Sequence, residues 1–239
     1  MTHPISSSAN QSVNIAENLH QIQRNITEFC QRYNRNPDQV QLLAVSKTKP
    51  AADIRAAFAA GQTHFGENYL QEALTKISEI NEDSIVWHFI GAIQSNKTRD
   101  LAEHFDWVHS VDRLKIARRL SEQRPANMPA LNICLEVNIS EEASKAGLSL
   151  NQLEEMAAEI MPLPNIRLRG LMAIPAKADS LQQQRAIFSQ LKQALLKLQI
   201  KYPQLDTLSM GMSNDMEAAI AEGSTIVRIG TAIFGARNT

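Results

Sequence analysis

The stretch "QLLAVSKTKPAADIRAAFAAG", Gln41 to Gly61, contains the unit that the rest of the chain repeats. An apolar run ends at Ser46 and Lys47, a proline follows, and an alanine-rich segment then ends at a glycine. A short apolar run predicts a buried strand, and the segment closed by glycine predicts a helix. The stretch therefore predicts one strand and one helix, with a lysine at the carboxyl end of the strand.

The same alternation continues along the chain. The further strand patterns are "HFGEN", "IVWHFIG", "WVHSV", "ALNICLEVNI", "IRLRGLMAI", "TLSMG" and "TIVRIG", with helical segments between them. Such alternation favours right-handed crossovers and a parallel sheet, and eight strands in 239 residues predict a single α/β protein, a (β/α)8 TIM-type barrel. No GxGxxG follows the first strand to favour an open doubly wound sheet. We expect the barrel to span residues 13–239, with an extra amphipathic N-terminal helix, and residues 1–12 to be flexible.

Composition and charge narrow the class of function. Hydrophobic residues make up 44% of the chain and charged residues 21%, and the formal net charge is −1. These values give no electrostatic bias toward nucleic acid or an anionic membrane. Cys30 and Cys134 show no zinc-ligand spacing, and the polar start shows no signal-peptide pattern. We expect a cytoplasmic protein with no nucleic-acid partner, no membrane partner and no metal.

The predicted fold bears on the role of the first lysine. In such a barrel the functional face lies at the carboxyl ends of the strands. Lys47 shares its parity with Leu43 and Val45 and is expected near the barrel mouth, whereas Lys49 is expected in solvent. A surface lysine is the ordinary interpretation for either residue. Desolvation at the mouth would lower the pKa of Lys47 and leave the neutral amine that attacks a carbonyl.

Two glycine turns near the end of the chain predict an anion site. In "SMGMSNDMEAAI", Gly211 bends the chain, and Ser213 and Asn214 are expected to cap a helix. In "VRIGTAIFG", Gly230 permits close approach and Thr231 offers a hydroxyl and an amide. Each turn alone is more commonly a simple helix cap, but barrel enzymes often bind phosphate at the loops after strands seven and eight. A phosphate site beside a reactive lysine indicates pyridoxal phosphate (PLP) or a sugar phosphate.

Two polar positions in the predicted strands leave alternatives open. His88 in "VWHFIG" could act as an acid or base at the barrel mouth, or could be a histidine satisfied by internal partners. Glu136 and Asn138 alternate with Leu135 and Val137, so they are expected to line the barrel.

Nine segments together resemble the PLP homeostasis protein family, from about Leu42 to Gly235. These are "LLAVSKTKP", "HFGENYLQE", "WHFIGAIQSNK", "HSVD", "LEVNIS", "SKAGL", "LRGLMAI", "LSMGMSNDMEAAI" and "VRIGTAIFG". The resemblance implies a fold like the N-terminal domain of alanine racemase, which is a barrel. It implies PLP bound as an internal aldimine and no established catalytic reaction.

The same resemblance assigns residues to the cofactor. It implies that Lys47 carries the aldimine, that Arg228 faces the pyridine nitrogen and that Asn68 lies near the cofactor. Lys145 in "SKAGL" matches a lysine implicated in a secondary PLP site. The residues implied to hold the phosphate are Ser213, Asn214, Gly230 and Thr231.

The assignment of Arg228 favours a carrier over an enzyme. PLP is a strong electron sink when a carboxylate keeps its ring nitrogen protonated, and a guanidinium cannot accept that proton. We also expect no second domain after Thr239 to supply an opposing acid or base. The expected protein buffers PLP or delivers it to PLP-dependent apoenzymes, as a monomer or weak dimer. The alternatives are a PLP-dependent racemase-like enzyme, a Schiff-base aldolase acting on a sugar phosphate, and an interaction protein with a vestigial site.

Overall fold

The computed structural model describes residues 13–140 and 146–236. The segment 1–12 that we expect to be flexible, and Lys145, lie outside the described residues. The strands are β1 (Gln41–Val45), β2 (His64–Glu67), β3 (Val86–Phe89), β4 (Trp107–Val111), β5 (Leu131–Val137), β6 (Ile166–Ala173), β7 (Thr207–Ser209) and β8 (Ile226–Ile229). The helices are α1 (Ile15–Arg32), α2 (Ala51–Ala59), α3 (Leu70–Ile80), α4 (Thr98–His104), α5 (Leu114–Gln123), α6 (Leu153–Ile160), α7 (Leu181–Lys201), α8 (Met216–Ala221) and α9 (Thr231–Phe234).

The eight strands form a closed parallel barrel, which confirms the predicted fold. Each strand pairs with the next along the chain, and β8 pairs with β1 to close the barrel. The β1–β8 register sets Gln41 opposite Ile226 and Ala44 opposite Ile229. The segments after all strands therefore leave at one end, termed here the carboxyl mouth. The opposite end, where His64 begins β2, is termed the amino mouth.

Side chains of β1 alternate between two layers of core, as the period of a strand requires. Leu42 and Ala44 belong to the large core between the strands and the surrounding helices. Leu43 and Val45 belong instead to a small cluster inside the barrel, together with Ile90 and Ile226. Leu43 and Val45 therefore face the barrel interior, and Lys47 follows Val45 by two residues, as the sequence predicts.

Helix α1 is the predicted N-terminal helix, and it packs beside α2, α8 and α9. Its first turn is capped by the side chain of Asn14, which accepts a hydrogen bond from the backbone N–H of Glu17. The amide of Asn18 donates to the carbonyl of Ile233 at 2.9 Å, which fixes α1 to α9. The buried face consists of Ile15, Leu19, Ile22, Ile26 and Cys30. Among the helices that the structure describes, none combines the length and the apolar character needed to cross a membrane.

Candidate functional site

Lys47 lies in the turn that follows β1 at the carboxyl mouth. Ser46 before it is buried, Lys47 is half-buried, and Thr48 after it is exposed. Thr48 adopts a left-handed backbone conformation, with φ of +62°, which reverses the chain direction after the strand. The ammonium of Lys49 donates to the carbonyl of Ala236 at 2.7 Å in an exposed hydrogen bond, so this lysine contacts the backbone at the surface.

A buried ion cluster stands behind this turn. The Lys76 ammonium on α3 donates to Glu67 Oε1 at 2.8 Å and to Glu72 Oε1 at 2.5 Å. The Lys76 side chain is 7% exposed, and Glu67 at the end of β2 is fully buried. Burial raises the pKa of the Glu67 carboxyl above its ordinary value, and the Lys76 ammonium opposes that shift. In this cluster two carboxylates share one ammonium, and the Glu72 side chain, 30% exposed, is the member that reaches solvent.

The ion cluster holds both neighbours of Lys47. Lys76 also donates to the carbonyl of Ser46 at 2.8 Å, and the Ser46 hydroxyl donates to Glu67 at 2.6 Å. On the other side, the backbone N–H of Thr48 donates to Glu72 Oε1 at 2.6 Å. The turn is therefore fixed before and after Lys47. The sequence pattern did not predict this cluster; its local sign is the four-residue spacing of Glu72 and Lys76 on a helix.

The turn after β7 requires glycine but is capped differently from the prediction. Gly211 has φ of +99°, and a Cβ there would lie 2.5 Å from the Cβ of Ala219. Helix α8 begins at Met216 with Asp215 as its N-cap, so Ser213 and Asn214 do not cap it. The Asp215 carboxylate folds back to accept from the backbone N–H of Met212 at 2.6 Å, which closes the turn. Ser213 and Asn214 are exposed within that turn, so the capping prediction was wrong, whereas their placement at the carboxyl mouth is confirmed.

The turn after β8 lies directly against the end of β1. A Cβ on Gly230 would lie 3.1 Å from the carbonyl oxygen of Val45, so glycine permits this close approach. Thr231 follows, is exposed, and begins the four-residue helix α9, which was not predicted from the sequence. The backbone N–H of Arg228 in β8 donates to the carbonyl of Gly211 at 2.9 Å, which joins β8 to the turn after β7. The two glycine turns and the turn of Lys47 thus share one mouth.

Arg228 occupies the barrel interior, opposite Leu43 of β1. One nitrogen, Nη1, donates to the carbonyl of Ser209 at 2.5 Å and to its hydroxyl at 2.8 Å. The other, Nη2, donates to the carbonyl of Ala173 at 2.9 Å. Burial lowers the pKa of Arg228 to about 10, which still leaves a cation at neutral pH. Arg228 is a buried cation held by the last residues of β6 and β7.

Asn68, directly after β2, presents an unsatisfied acceptor. Its Oδ1 is buried and has no hydrogen-bond partner among the described residues, and the same is true of Oε2 of the adjacent Glu67. An unsatisfied buried acceptor costs on the order of 1–3 kcal/mol, so a ligand donor here would be stabilising. Asn68 also lines a cavity of about 290 Å³ between the ends of β2 and β3 and helix α4. This cavity is lined by neither Lys47 nor the glycine turns, so it is the unsatisfied acceptors, with those turns, that fit a small polar cofactor at this mouth.

Two interior residues settle the alternatives that the sequence left open. His88 is buried and has partners at both ring nitrogens, His64 at 2.9 Å and His109 at 2.9 Å. It is a satisfied internal histidine and not an acid or base at the mouth. Glu136 shares its strand face with Cys134, away from the outer core, and burial raises the pKa of its carboxyl.

Comparison with known proteins identifies the family. Residues 18–238 match the alanine racemase N-terminal domain. The pyridoxal phosphate homeostasis protein of Pseudomonas aeruginosa is 60% identical over 94% of this chain and 96% of its own length. That of Escherichia coli K12 is 54% identical over 94% of this chain and 97% of its own length. The chain belongs to the pyridoxal phosphate homeostasis protein family.

Solved structures agree with this family assignment. PipY of Synechococcus elongatus, determined with PLP bound, is 40% identical, with a TM-score of 0.81 over 92% of this chain and 100% of its own. Alanine racemase of Clostridium difficile is 14% identical, with a TM-score of 0.76 over 95% of this chain and 57% of its own, and shares the fold. The resemblance to PLP homeostasis proteins and the alanine racemase-like barrel are both confirmed.

Proposed function

We propose that this chain binds PLP at the carboxyl mouth and acts in PLP homeostasis. Relatives that are 54–60% identical over nearly their whole length carry that name, and a 40% identical relative has been solved with PLP bound. The proposal rests on one observation, that the turn of Lys47 and the two glycine turns lie at the same mouth of the barrel. There the turn of Lys47 is fixed on both sides by a buried ion cluster and is adjacent to the turn of Gly230.

The residues at this mouth have complementary parts in binding. When bound, PLP supplies an aldehyde that reacts with amines and a conjugated ring that can accept electrons. Lys47 supplies the amine, and the fixed turn limits the directions in which that amine can reach. Asn68 offers an acceptor without a partner, and Arg228 presents a permanent cation to the ring nitrogen. The phosphate contacts come from Ser213, Asn214, Gly230 and Thr231.

The chemistry of Arg228 supports homeostasis rather than catalysis. Its pKa of about 10 keeps it a donor at neutral pH, so it leaves the ring nitrogen without a proton. An unprotonated ring withdraws electrons weakly, and removal of a proton from a bound amino acid is then slow. In this proposal the protein holds PLP in the cytoplasm and releases it to apoenzymes.

A spectral titration tests the proposal. The protein is titrated with PLP, alongside Lys47→Ala and the matched variant Lys49→Ala. Unbound PLP is itself coloured, so it is removed by gel filtration before each spectrum. We expect a visible band of protein-bound PLP in the wild type and in Lys49→Ala, and no such band in Lys47→Ala. A band of equal strength in Lys47→Ala would contradict the assignment.

A second measurement tests the absence of catalysis. The PLP-loaded protein is incubated with L-alanine in deuterated water, and deuterium at Cα is followed by mass spectrometry. We expect exchange far below an enzymatic turnover, which is on the order of 1–1000 per second. Exchange within that range would make the protein an enzyme.

A further inference from the structure

Three histidines form a continuous hydrogen-bonded series through the barrel. His64 Nδ1 lies 2.9 Å from His88 Nε2, and His88 Nδ1 lies 2.9 Å from His109 Nε2. His109 Nδ1 lies 2.8 Å from the hydroxyl oxygen of Ser209. The same oxygen accepts a hydrogen bond from Nη1 of Arg228 at 2.8 Å. The histidine relay is defined here as His64, His88, His109 and Ser209. Its members come from four strands, β2, β3, β4 and β7.

The relay connects Arg228 with the amino mouth. His88, His109 and Ser209 are each 2% exposed or less, whereas His64 is half-buried. His64 and His88 line a cavity of about 490 Å³ together with the first residues of four strands, Gln41, Trp107, Thr207 and Ile226. The charged side chains that line the same cavity are Arg35, Arg169 and Asp206. One end of the relay is therefore open to this cavity, and the other end is Arg228.

Arg228 fixes the direction of every hydrogen bond in the relay. A guanidinium has no acceptor, so the Ser209 hydroxyl accepts from Nη1 of Arg228. Among the described contacts the other partner of this buried hydroxyl is His109 Nδ1, so its single hydrogen is satisfied by donation to Nδ1. An unprotonated Nδ1 places the proton of His109 on Nε2, from which it is donated to His88 Nδ1. The same step at His88 gives a donor at its Nε2 and an acceptor at His64 Nδ1. All three rings are thereby the neutral Nε2–H tautomer.

The charges agree with this direction. Burial lowers the pKa of each of the three histidines, and the Arg228 cation contributes to lowering that of His109 to about 3. The rings are therefore neutral near neutral pH. Each turns its unprotonated nitrogen, the negative end of its dipole, toward the buried cation, which is the favourable orientation.

We propose that His109, His88 and His64 are positioning residues for Arg228. In the relay the Ser209 hydroxyl donates its hydrogen to His109, which leaves a lone pair of the Ser209 oxygen to accept from Nη1 of Arg228. The guanidinium is thereby held in one orientation by hydrogen bonds that continue to the amino mouth. The consequence for PLP rests on the proposed function, because there Arg228 faces the ring nitrogen.

The tautomers can be observed directly without any cofactor. The protein is labelled with ¹⁵N-histidine, and long-range ¹H–¹⁵N correlation spectra distinguish protonated from unprotonated ring nitrogens. Near neutral pH we expect Nε2–H with unprotonated Nδ1 at His64, His88 and His109. An Nδ1–H tautomer at His109 in the wild type would overturn the proposal.

His88→Phe tests whether the relay acts as a unit. The phenyl ring retains the stacking of His88 on Trp107, whose rings are 5.5 Å apart, but removes both nitrogens. We expect His109 to retain its tautomer, because Ser209 still donates to it, and His64 to show both tautomers. His104→Phe, at an exposed histidine of α4, is the matched control and should leave the relay signals unchanged. An unchanged His64 spectrum in His88→Phe would overturn the relay.

The role of Arg228 is tested by a matched pair of variants. Arg228→Gln replaces a permanent donor with an amide that also accepts, so His109 is expected to show both tautomers. Arg228→Lys keeps a donor without an acceptor and is expected to preserve the Nε2–H form. An unchanged His109 tautomer in Arg228→Gln would overturn the statement that Arg228 sets the direction.

Loading with PLP separates the two proposals. In the wild type we expect PLP to shift the ring signals of His109 more than those of His64. A visible absorbance band without any shift at His109 would overturn its positioning role toward the cofactor site. Absence of the band would contradict the proposed function, and the cofactor-free tautomers would still decide the relay.

Discussion

The two mouths of the barrel are built from the same strands but satisfy their polar groups differently. At the amino mouth, Arg169 makes a two-pronged ion pair with Asp206 and lies over the ring of Trp107 at 4.8 Å. At the carboxyl mouth, a buried ion cluster fixes the turn of Lys47, yet Asn68 Oδ1 has no partner among the described residues. At the amino mouth these charged side chains pair with each other, whereas at the carboxyl mouth buried acceptors of Glu67 and Asn68 have no partner among the described residues.

The largest expected difference between the mouths concerns their ion pairs. Lys76→Met leaves the carboxylate of Glu67 buried and unpaired, which we expect to lower the free energy of unfolding by about 3–5 kcal/mol. Arg169→Met breaks a pair whose side chains are 24% and 52% exposed, for which we expect about 1 kcal/mol. Urea denaturation of the two variants measures both values.

A double variant controls for other effects of the Lys76 substitution. Adding Glu67→Gln to Lys76→Met removes the unpaired charge and should recover part of the loss. Equal losses in Lys76→Met and Arg169→Met would show that the buried cluster does not stabilise the carboxyl mouth.

Glycines at the two mouths give the next largest contrast. Gly211→Ala places a residue with φ of +99° in contact with Ala219, so strain of about 1–2 kcal/mol adds to overpacking of about 1–3 kcal/mol. Gly61 at the amino mouth has φ of +93° but no atom within 4 Å of an added Cβ, so Gly61→Ala should cost the strain alone. Thermal unfolding compares the two. A smaller loss for Gly211→Ala would mean that α8 can move away.

Ligand contacts should be confined to the carboxyl mouth. Ser213→Ala and Thr231→Ala each remove a hydroxyl from an exposed turn, so the fold should persist while PLP binding weakens. A hydrogen bond to a charged group contributes on the order of 1.5–3 kcal/mol, or about ten- to a hundredfold in affinity. Thr63→Ala, an exposed threonine at the amino mouth, is the control and should bind normally. Unchanged affinity in the Ser213–Thr231 double variant would remove the phosphate assignment.

The buried histidine His109, between the two mouths, should make the free energy of unfolding depend on pH. The pKa of His109 is lowered from 6.5 to about 3, so between these values the unfolded chain binds a proton that the folded chain does not. The free energy of unfolding should therefore fall as the pH drops below about 6.5, by at most about 1.4 kcal/mol per pH unit from His109. Urea denaturation should give a shallower slope for His109→Phe, and parallel curves above about pH 7. An equal slope for both proteins in acid would contradict the buried neutral histidine.

The sequence predicted the barrel because its signal is local and repeated. The alternation of Leu42 and Leu43 between two layers and the glycine at position 211 follow from strand period and turn geometry. The cap of α8 was misassigned because serine, asparagine and aspartate all cap helices, and only the backbone path selects Asp215.

Contacts between distant positions could not be predicted from the sequence. His109 and Ser209, for example, are 100 residues apart along the chain and meet only when the barrel closes. The Lys76–Ser46 bond likewise spans 30 residues and depends on how α3 packs against β1. Residue types alone do not indicate such partners.

The central claim is that Lys47, and not a neighbouring lysine, holds PLP at the carboxyl mouth. Borohydride reduction of the PLP-loaded protein fixes the cofactor to the lysine that holds it, and peptide mass mapping then locates the adduct. We expect the adduct on Lys47, in the peptide containing "AVSK". An adduct confined to Lys49 or Lys145 would contradict the account.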